Sequence, residues 1–184
     1  MVSELSGKKV LVVSTNNGVE QDELRVPVEE LRAAGVEVTV AAVEAGSIKT
    51  TTGGERGAEQ RADAAMSEVE DSDYDVLVVP GGTGNADSLR LDPDAQRLVN
   101  AFAASGRPVA AICHAPWLLV ETDLVEGRKL TSYKSVRSDV VNAGGEWVDE
   151  AVVVDTDGAF TLITSRTPED LNAFVTEIKN ILSA

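Results

Sequence analysis

The chain has 184 residues, 43% of them hydrophobic and 4% aromatic, which points to one domain with an aliphatic core that needs neither disulfide nor metal. Its 31 acidic residues against 16 basic ones give a formal charge of −15, a field that argues against nucleic acid or an anionic membrane as a partner. The N-terminal apolar run covers only Val10 to Val13, too short for a leader core or a membrane span, and no later run approaches one. A single cysteine rules out an internal disulfide and fits a reducing compartment, so a cytoplasmic protein is expected.

Apolar runs alternate with helix-like segments along the chain. Residues 9–14 (KVLVVS) read as a buried strand. Residues 22–34 carry Leu24, Val28 and Leu31 at helical spacing, and Gly35 stops them. Residues 36–42 alternate like a strand, and the Gly- and Thr-rich stretch 46–57 reads as a loop or a short hairpin. A second apolar strand, 75–79, is closed by Pro80-Gly81-Gly82, and a helix is expected over 92–105, ending at Gly106. Residues 108–112 (PVAAI) form a third buried strand, and a helix opens at Pro116. The region 129–157 reads as short strands, among them Ala151 to Val154. Ile163 then leads into a last helix over 167–184, with Thr167 as N-cap, Pro168 at its first position, and Glu169 and Asp170 in its first turn. Continuous apolar strands separated by helices predict an α/β fold with a mostly parallel sheet covered on both faces. Ligands in such folds bind beyond the carboxyl ends of the strands, here at the loops 15–23, 81–87 and 113–116.

The only cysteine and the only histidine are neighbours, Cys113-His114, at the end of the third strand. A lone cysteine is most often a small buried hydrophobe. This one instead sits between a strand and a helix start, as in a nucleophile elbow. Free N–H groups at that helix N-terminus predict a depressed thiol pKa. His114 is the only candidate base, although residues adjacent in a regular element do not face each other, so it either meets the thiol through a tight turn or merely shapes that turn. Gly81 and Gly82 allow close backbone approach, and an N–H from Gly82 with that of His114 would make an oxyanion hole. Glu20 and Glu23, beside Asp22, are either solvated residues at a helix start or a carboxyl that shares a proton with the thiol.

The run AAICHAPWLL, with LVVPGG upstream and GRKLTSY and NAGGEWVDEAVVVD downstream, resembles the PfpI family of the ThiJ/PfpI (DJ-one) superfamily over nearly the whole chain. The resemblance implies a flavodoxin-like three-layer sandwich of the class I glutamine amidotransferase-like type, with the cysteine at the elbow and a homodimeric assembly. It implies that Cys113 is the nucleophile with His114 beside it, and that Glu23 contacts the thiol. Glu20 is a second acidic position, Gly82 an oxyanion donor and Tyr133 an aromatic flank of the pocket. Asp87 matches a position that in some members reaches the histidine across the dimer. The chain departs from the family pattern at Ala115, where glycine is common, at Lys134 and Ala86, where proline is frequent, and at Thr51, where a lysine is often found.

The resemblance implies a cysteine-dependent stress protein that hydrolyses peptide, glycated-protein or reactive-carbonyl substrates, with no cofactor or metal. The alternative is a redox-sensing or chaperone-like protein that uses oxidation of Cys113. A glutamine amidotransferase is excluded, because that chemistry needs a histidine after the nucleophile and none follows His114.

Overall fold

The computed structural model describes residues 5–184; residues 1–4, the start of the segment weighed as a leader, lie outside them. The chain opens with β1 (Lys9–Val13), β2 (Asn17–Glu20), α1 (Gln21–Ala33) and β3 (Glu37–Ala42). Next come β4 (Gly46–Thr52), β5 (Glu55–Arg56), β6 (Gln60–Ala62), β7 (Ala64–Ala65) and β8 (Val76–Val79). The middle of the chain holds α2 (Thr83–Leu89), α3 (Pro93–Ala104), β9 (Val109–Ile112) and α4 (Pro116–Glu121). It closes with β10 (Lys129–Leu130), α5 (Arg137–Asn142), β11 (Glu146–Trp147), β12 (Val152–Asp155), β13 (Leu162–Ser165) and α6 (Leu171–Ser183).

A seven-stranded sheet runs in the order β12-β13-β9-β8-β1-β3-β7, parallel throughout except for β12. Alternation along each strand divides the core in two. Val10, Val12, Val76, Val78, Ala110 and Ile112 point toward α1 and α6. Leu11, Val13, Leu77, Val79, Val109 and Ala111 point toward α3 and α4. Both faces are covered, which is why the central strands read as unbroken apolar runs. The sheet between two helical layers is the expected flavodoxin-like sandwich. Its order of parallel strands reverses direction at β1 and β8, so the loops after β1, β8 and β9 converge on one crevice.

Five segments differ from the sequence reading. The loop expected over 15–23 holds β2, which pairs with β4, and the first turn of α1. The loop expected over 81–87 winds into α2 from Thr83, because Gly82 at φ +88° turns the chain into the helix. Residues 162–165 form β13, the fully buried neighbour of β9, rather than a lead-in to the last helix. The region of short strands also contains α5. Thr167 does not cap the last helix: Pro168–Asp170 is a single 3₁₀ turn ahead of α6, and the Asp170 carboxylate instead accepts from the backbone and guanidinium of Arg166. Of the two readings for 46–57 the hairpin holds, as β4 and β5 around Gly53-Gly54. Among the described residues no helix is long and apolar enough to cross a membrane.

Candidate active site

Cys113 follows β9 directly and has φ +64°, a left-handed conformation that costs a non-glycine residue about 1–2 kcal/mol. The turn is held from both sides. Its N–H donates to Ser165 O at 3.0 Å, its carbonyl accepts from Tyr133 N at 2.7 Å, and Ala115 N donates to Ile112 O at 3.0 Å. This backbone twist does what a regular element cannot and folds two adjacent side chains together: Cys113 Sγ lies 3.1 Å from His114 Nδ1. The backbone N–H groups of Gly82 and His114 also point at the sulfur. The strand–turn–helix elbow and the paired donors expected from the sequence are both present.

Glu23, on the first turn of α1, is completely buried. Its Oε1 accepts from Gly81 N at 2.9 Å, its carboxyl reaches the Cys113 thiol, and Oε2 finds no further partner. Glycine is required at residue 81: a Cβ there would stand 2.6 Å from Glu23 Oε1 and 2.8 Å from Cys113 Cβ. Burial, with the charge of Glu20 added, raises the Glu23 pKa to about 8, so the carboxyl holds its proton at neutral pH. Burial and then the Glu23 carboxyl push the Cys113 thiol up as well, against the pull of the two backbone donors. The depressed thiol pKa expected from the helix N-terminus is therefore overturned. The helix begins only at Pro116, and desolvation outweighs the dipole.

His114 is sandwiched between aromatic rings, stacked on Tyr133 at 4.6 Å and edge-on to Trp117 at 5.3 Å. Burial lowers its pKa, which keeps the imidazole neutral. Among the described residues its Nε2 meets only hydroxyls, Ser135 Oγ at 3.3 Å and Thr83 Oγ1 at 3.5 Å. A proton on Nε2 leaves Nδ1 as the acceptor facing the thiol. Glu20 lies at the rim, where its carboxylate accepts from Gly53 N at 3.3 Å and so ties down the β4–β5 hairpin; partial burial raises its pKa. Together these groups line a cavity of about 400 Å³ that contains Glu20, Glu23, Gly82, Cys113, His114 and Tyr133. Asp87 is the exception. It is exposed on α2 and does not line this cavity within one chain.

One residue of the site escaped the sequence reading. Asn85 is fully buried, and its Oδ1 accepts from Thr15 N at 2.8 Å, Thr15 Oγ1 at 2.9 Å and Ser14 Oγ at 3.2 Å. Its Nδ2 donates to Gly81 O at 2.9 Å and Pro80 O at 3.2 Å. It thereby ties the loop after β1 to the glycines that aim the Gly82 N–H at the sulfur. Replacing Asn85 with alanine leaves these backbone groups buried and unpaired, and is expected to cost about 3 kcal/mol in denaturant unfolding. Aspartate keeps the acceptor but not the donor, and should recover only part of that loss.

The match to known proteins follows the same elements. The model of the DJ-1/PfpI family matches residues 8–180. The chain belongs to the DJ-1/PfpI family. It is 42% identical over 177 residues to Protein/nucleic acid deglycase 2 of Escherichia coli, covering 96% of this chain and 99% of the relative. It is 43% identical over 168 residues to General stress protein 18 of Bacillus subtilis, covering 91% and 94%. The crystal structure of Drosophila melanogaster DJ-1beta superposes with a TM-score of 0.84 at 32% identity, covering 96% of this chain and 90% of that one. The family shares the α/β sandwich described above, and relatives at this level of identity carry the names of stress proteins and deglycases.

Proposed function

We propose that the protein is a cysteine-dependent hydrolase that clears reactive-carbonyl adducts from amines and thiols, as a stress-response enzyme of a reducing cytosol. The observation that carries this reading is the 3.1 Å contact between Cys113 Sγ and His114 Nδ1, with two backbone donors beside the sulfur at the floor of a 400 Å³ cavity. As the adduct's C–N or C–S bond breaks, its electron pair leaves with the amine or thiol, which takes the carbinol proton, and the carbinol oxygen reforms a C=O. His114 Nδ1 takes the Cys113 proton as the sulfur adds to that carbon and the π pair moves onto oxygen. The Gly82 and His114 N–H groups meet that oxyanion. The proton on Nδ1 then passes to that oxyanion. Transfer of the carbinol C–H proton to the neighbouring carbonyl carbon through an enediol turns the hemithioacetal into a thioester, and water cleaves it to the free Cys113 thiol and a hydroxy acid. Turnover of a methylglyoxal-modified peptide tests the reading: release of the unmodified peptide supports it, and none from folded protein overturns it. The redox alternative ranks second. Peroxide attacks thiolate, and the burial that raises the Cys113 pKa keeps that fraction small.

A homodimer is part of the proposal. Among the described residues His114 Nε2 meets hydroxyls and no carboxylate, while Asp87 stands exposed on the helix that begins with Thr83. A carboxylate brought from a second copy would stabilise the imidazolium formed during attack. Asp87→Asn is expected to leave the fold intact and lower kcat by about tenfold to a hundredfold. Light scattering that reports a fully active monomer at micromolar concentration would remove the second copy from the mechanism.

A further inference from the structure

The Tyr133 ring is a partition. One face stacks on His114, and the residue also lines a second cavity of about 380 Å³ together with Lys134, Trp147, Arg166, Thr167 and Glu169. Thr167 of this second cavity adjoins Pro168 of the first, so Tyr133 and the 167–168 step are the wall between them. The relevant chemistry lies in which groups remain free. The Arg166 guanidinium is charge-paired, with three of its five N–H groups used: Nε at 2.9 Å and Nη2 at 3.0 Å from Asp170, and Nη1 at 2.9 Å from Asp149. The Trp147 indole N–H is spent on Ser132 Oγ at 2.9 Å, so the ring offers only apolar surface. Lys134 and Glu169 are exposed, and neither forms an ion pair among the described residues. The second cavity thus presents apolar rings, the unpaired ammonium of Lys134, the unpaired carboxylate of Glu169 and the exposed Asp149–Arg166 ion pair.

That inventory selects a ligand class. A nucleic-acid flank would bring a phosphate at every residue to a site where the cations of Lys134 and Arg166 stand among the carboxylates of Asp149 and Glu169, on a chain of net charge −15. A free oxoaldehyde would be contained in front of Tyr133 and has no use for a second cavity. A polypeptide is neutral along its backbone and carries apolar and mixed-charge side chains, which suits rings flanked by charges of both signs. We propose that the second cavity is a flank subsite, which holds the polypeptide beside a modified residue while the adduct on that residue reaches Cys113 past Tyr133. This inference rests on the hydrolase reading above and narrows its substrate to modified polypeptides.

Two probes carrying the same methylglyoxal adduct separate the possibilities: N-acetylcysteine, and a heptapeptide with a central cysteine. Thr167→Phe, and independently Lys134→Phe at an exposed position, place a ring in the second cavity. The ratio of kcat/KM for the peptide to that for N-acetylcysteine is expected to fall about tenfold in each variant, through KM rather than kcat. An unchanged ratio while both probes turn over overturns the subsite and leaves the hydrolase reading standing. A methylglyoxal-modified oligonucleotide that outruns the peptide and responds to the same two variants overturns the polypeptide assignment. If wild type turns over neither adduct, the hydrolase reading fails, and the subsite is judged by binding alone. Saturable quenching of indole emission by the unmodified heptapeptide in Cys113→Ala, lost when Thr167→Phe is added, supports it. Absence of that binding overturns it.

Discussion

Replacing Cys113 with serine is expected to lower turnover of a methylglyoxal adduct by at least about a thousandfold while the protein stays folded. The loss has a geometric and an electronic part. The hydroxyl would occupy the same turn, within reach of His114 Nδ1, so positioning survives. An alcohol, however, is a far harder proton donor than a thiol, and among the described residues His114 has no carboxylate partner to strengthen it as a base. Stability should change by only about 1 kcal/mol, because the exchange of sulfur for oxygen leaves the packing of this core position nearly unchanged and Glu23 can serve as the hydroxyl's hydrogen-bond partner. Wild-type turnover in the serine variant would remove Cys113 from the chemistry. A variant that fails to fold would instead show that the thiol is structural, and circular dichroism beside the kinetic assay separates the two.

Legibility in the sequence follows the kind of force that sets each feature. The strands β1, β8 and β9 were plain because a strand buried on both faces must be apolar at every position, and VLVV, VLVV and VAAI are. β13 is buried just as deeply but ends in Thr164 and Ser165, whose hydroxyl-bearing side chains disguise a four-residue strand. α2 begins Thr-Gly-Asn, a turn-like sequence that tertiary contacts override, since Asn85 is claimed by the loop after β1 rather than by a local turn. The site divides in the same way. Cys113, Gly82 and Glu23 could be placed from their positions at strand ends and from family resemblance. The contact between Cys113 and His114 could not, because it depends on a single dihedral held by Ser165 and Tyr133, both remote along the chain from β1 and α1. The thiol pKa was misjudged for a related reason. A helix N-terminus is visible in sequence, but the burial that outweighs it belongs to the assembled fold.

Glu23→Gln should stabilise the protein by roughly 3 kcal/mol at pH 7, and the gain should depend on pH in a specific way. The Glu23 carboxyl titrates near 4.5 when unfolded and at about 8 when buried beside Cys113. Below the unfolded value both states are protonated and the residue costs nothing. Between the two values the unfolded chain has released a proton that the folded chain retains, so wild-type stability falls steadily as pH rises. Beyond about 8 both states are ionised and the loss is complete. Glutamine cannot ionise, so the variant should match wild type near pH 4 and exceed it by a growing margin up to about pH 8 in urea titrations. Its amide can keep both contacts, accepting from Gly81 N through oxygen and donating toward the sulfur through nitrogen. The kinetic signature follows from the same charge. In wild type, ionisation of Glu23 sets a negative group against the forming thiolate, so kcat/KM should fall above about pH 8. On the acid side it should fall only below the ordinary histidine range, where the buried His114 at last takes up a proton. Glu23→Gln should erase the alkaline fall and leave the acid one. A variant less stable than wild type at pH 8, or one that retains the alkaline fall, would show that Glu23 is ionised in the folded protein and that the proton shared with Cys113 resides on the sulfur.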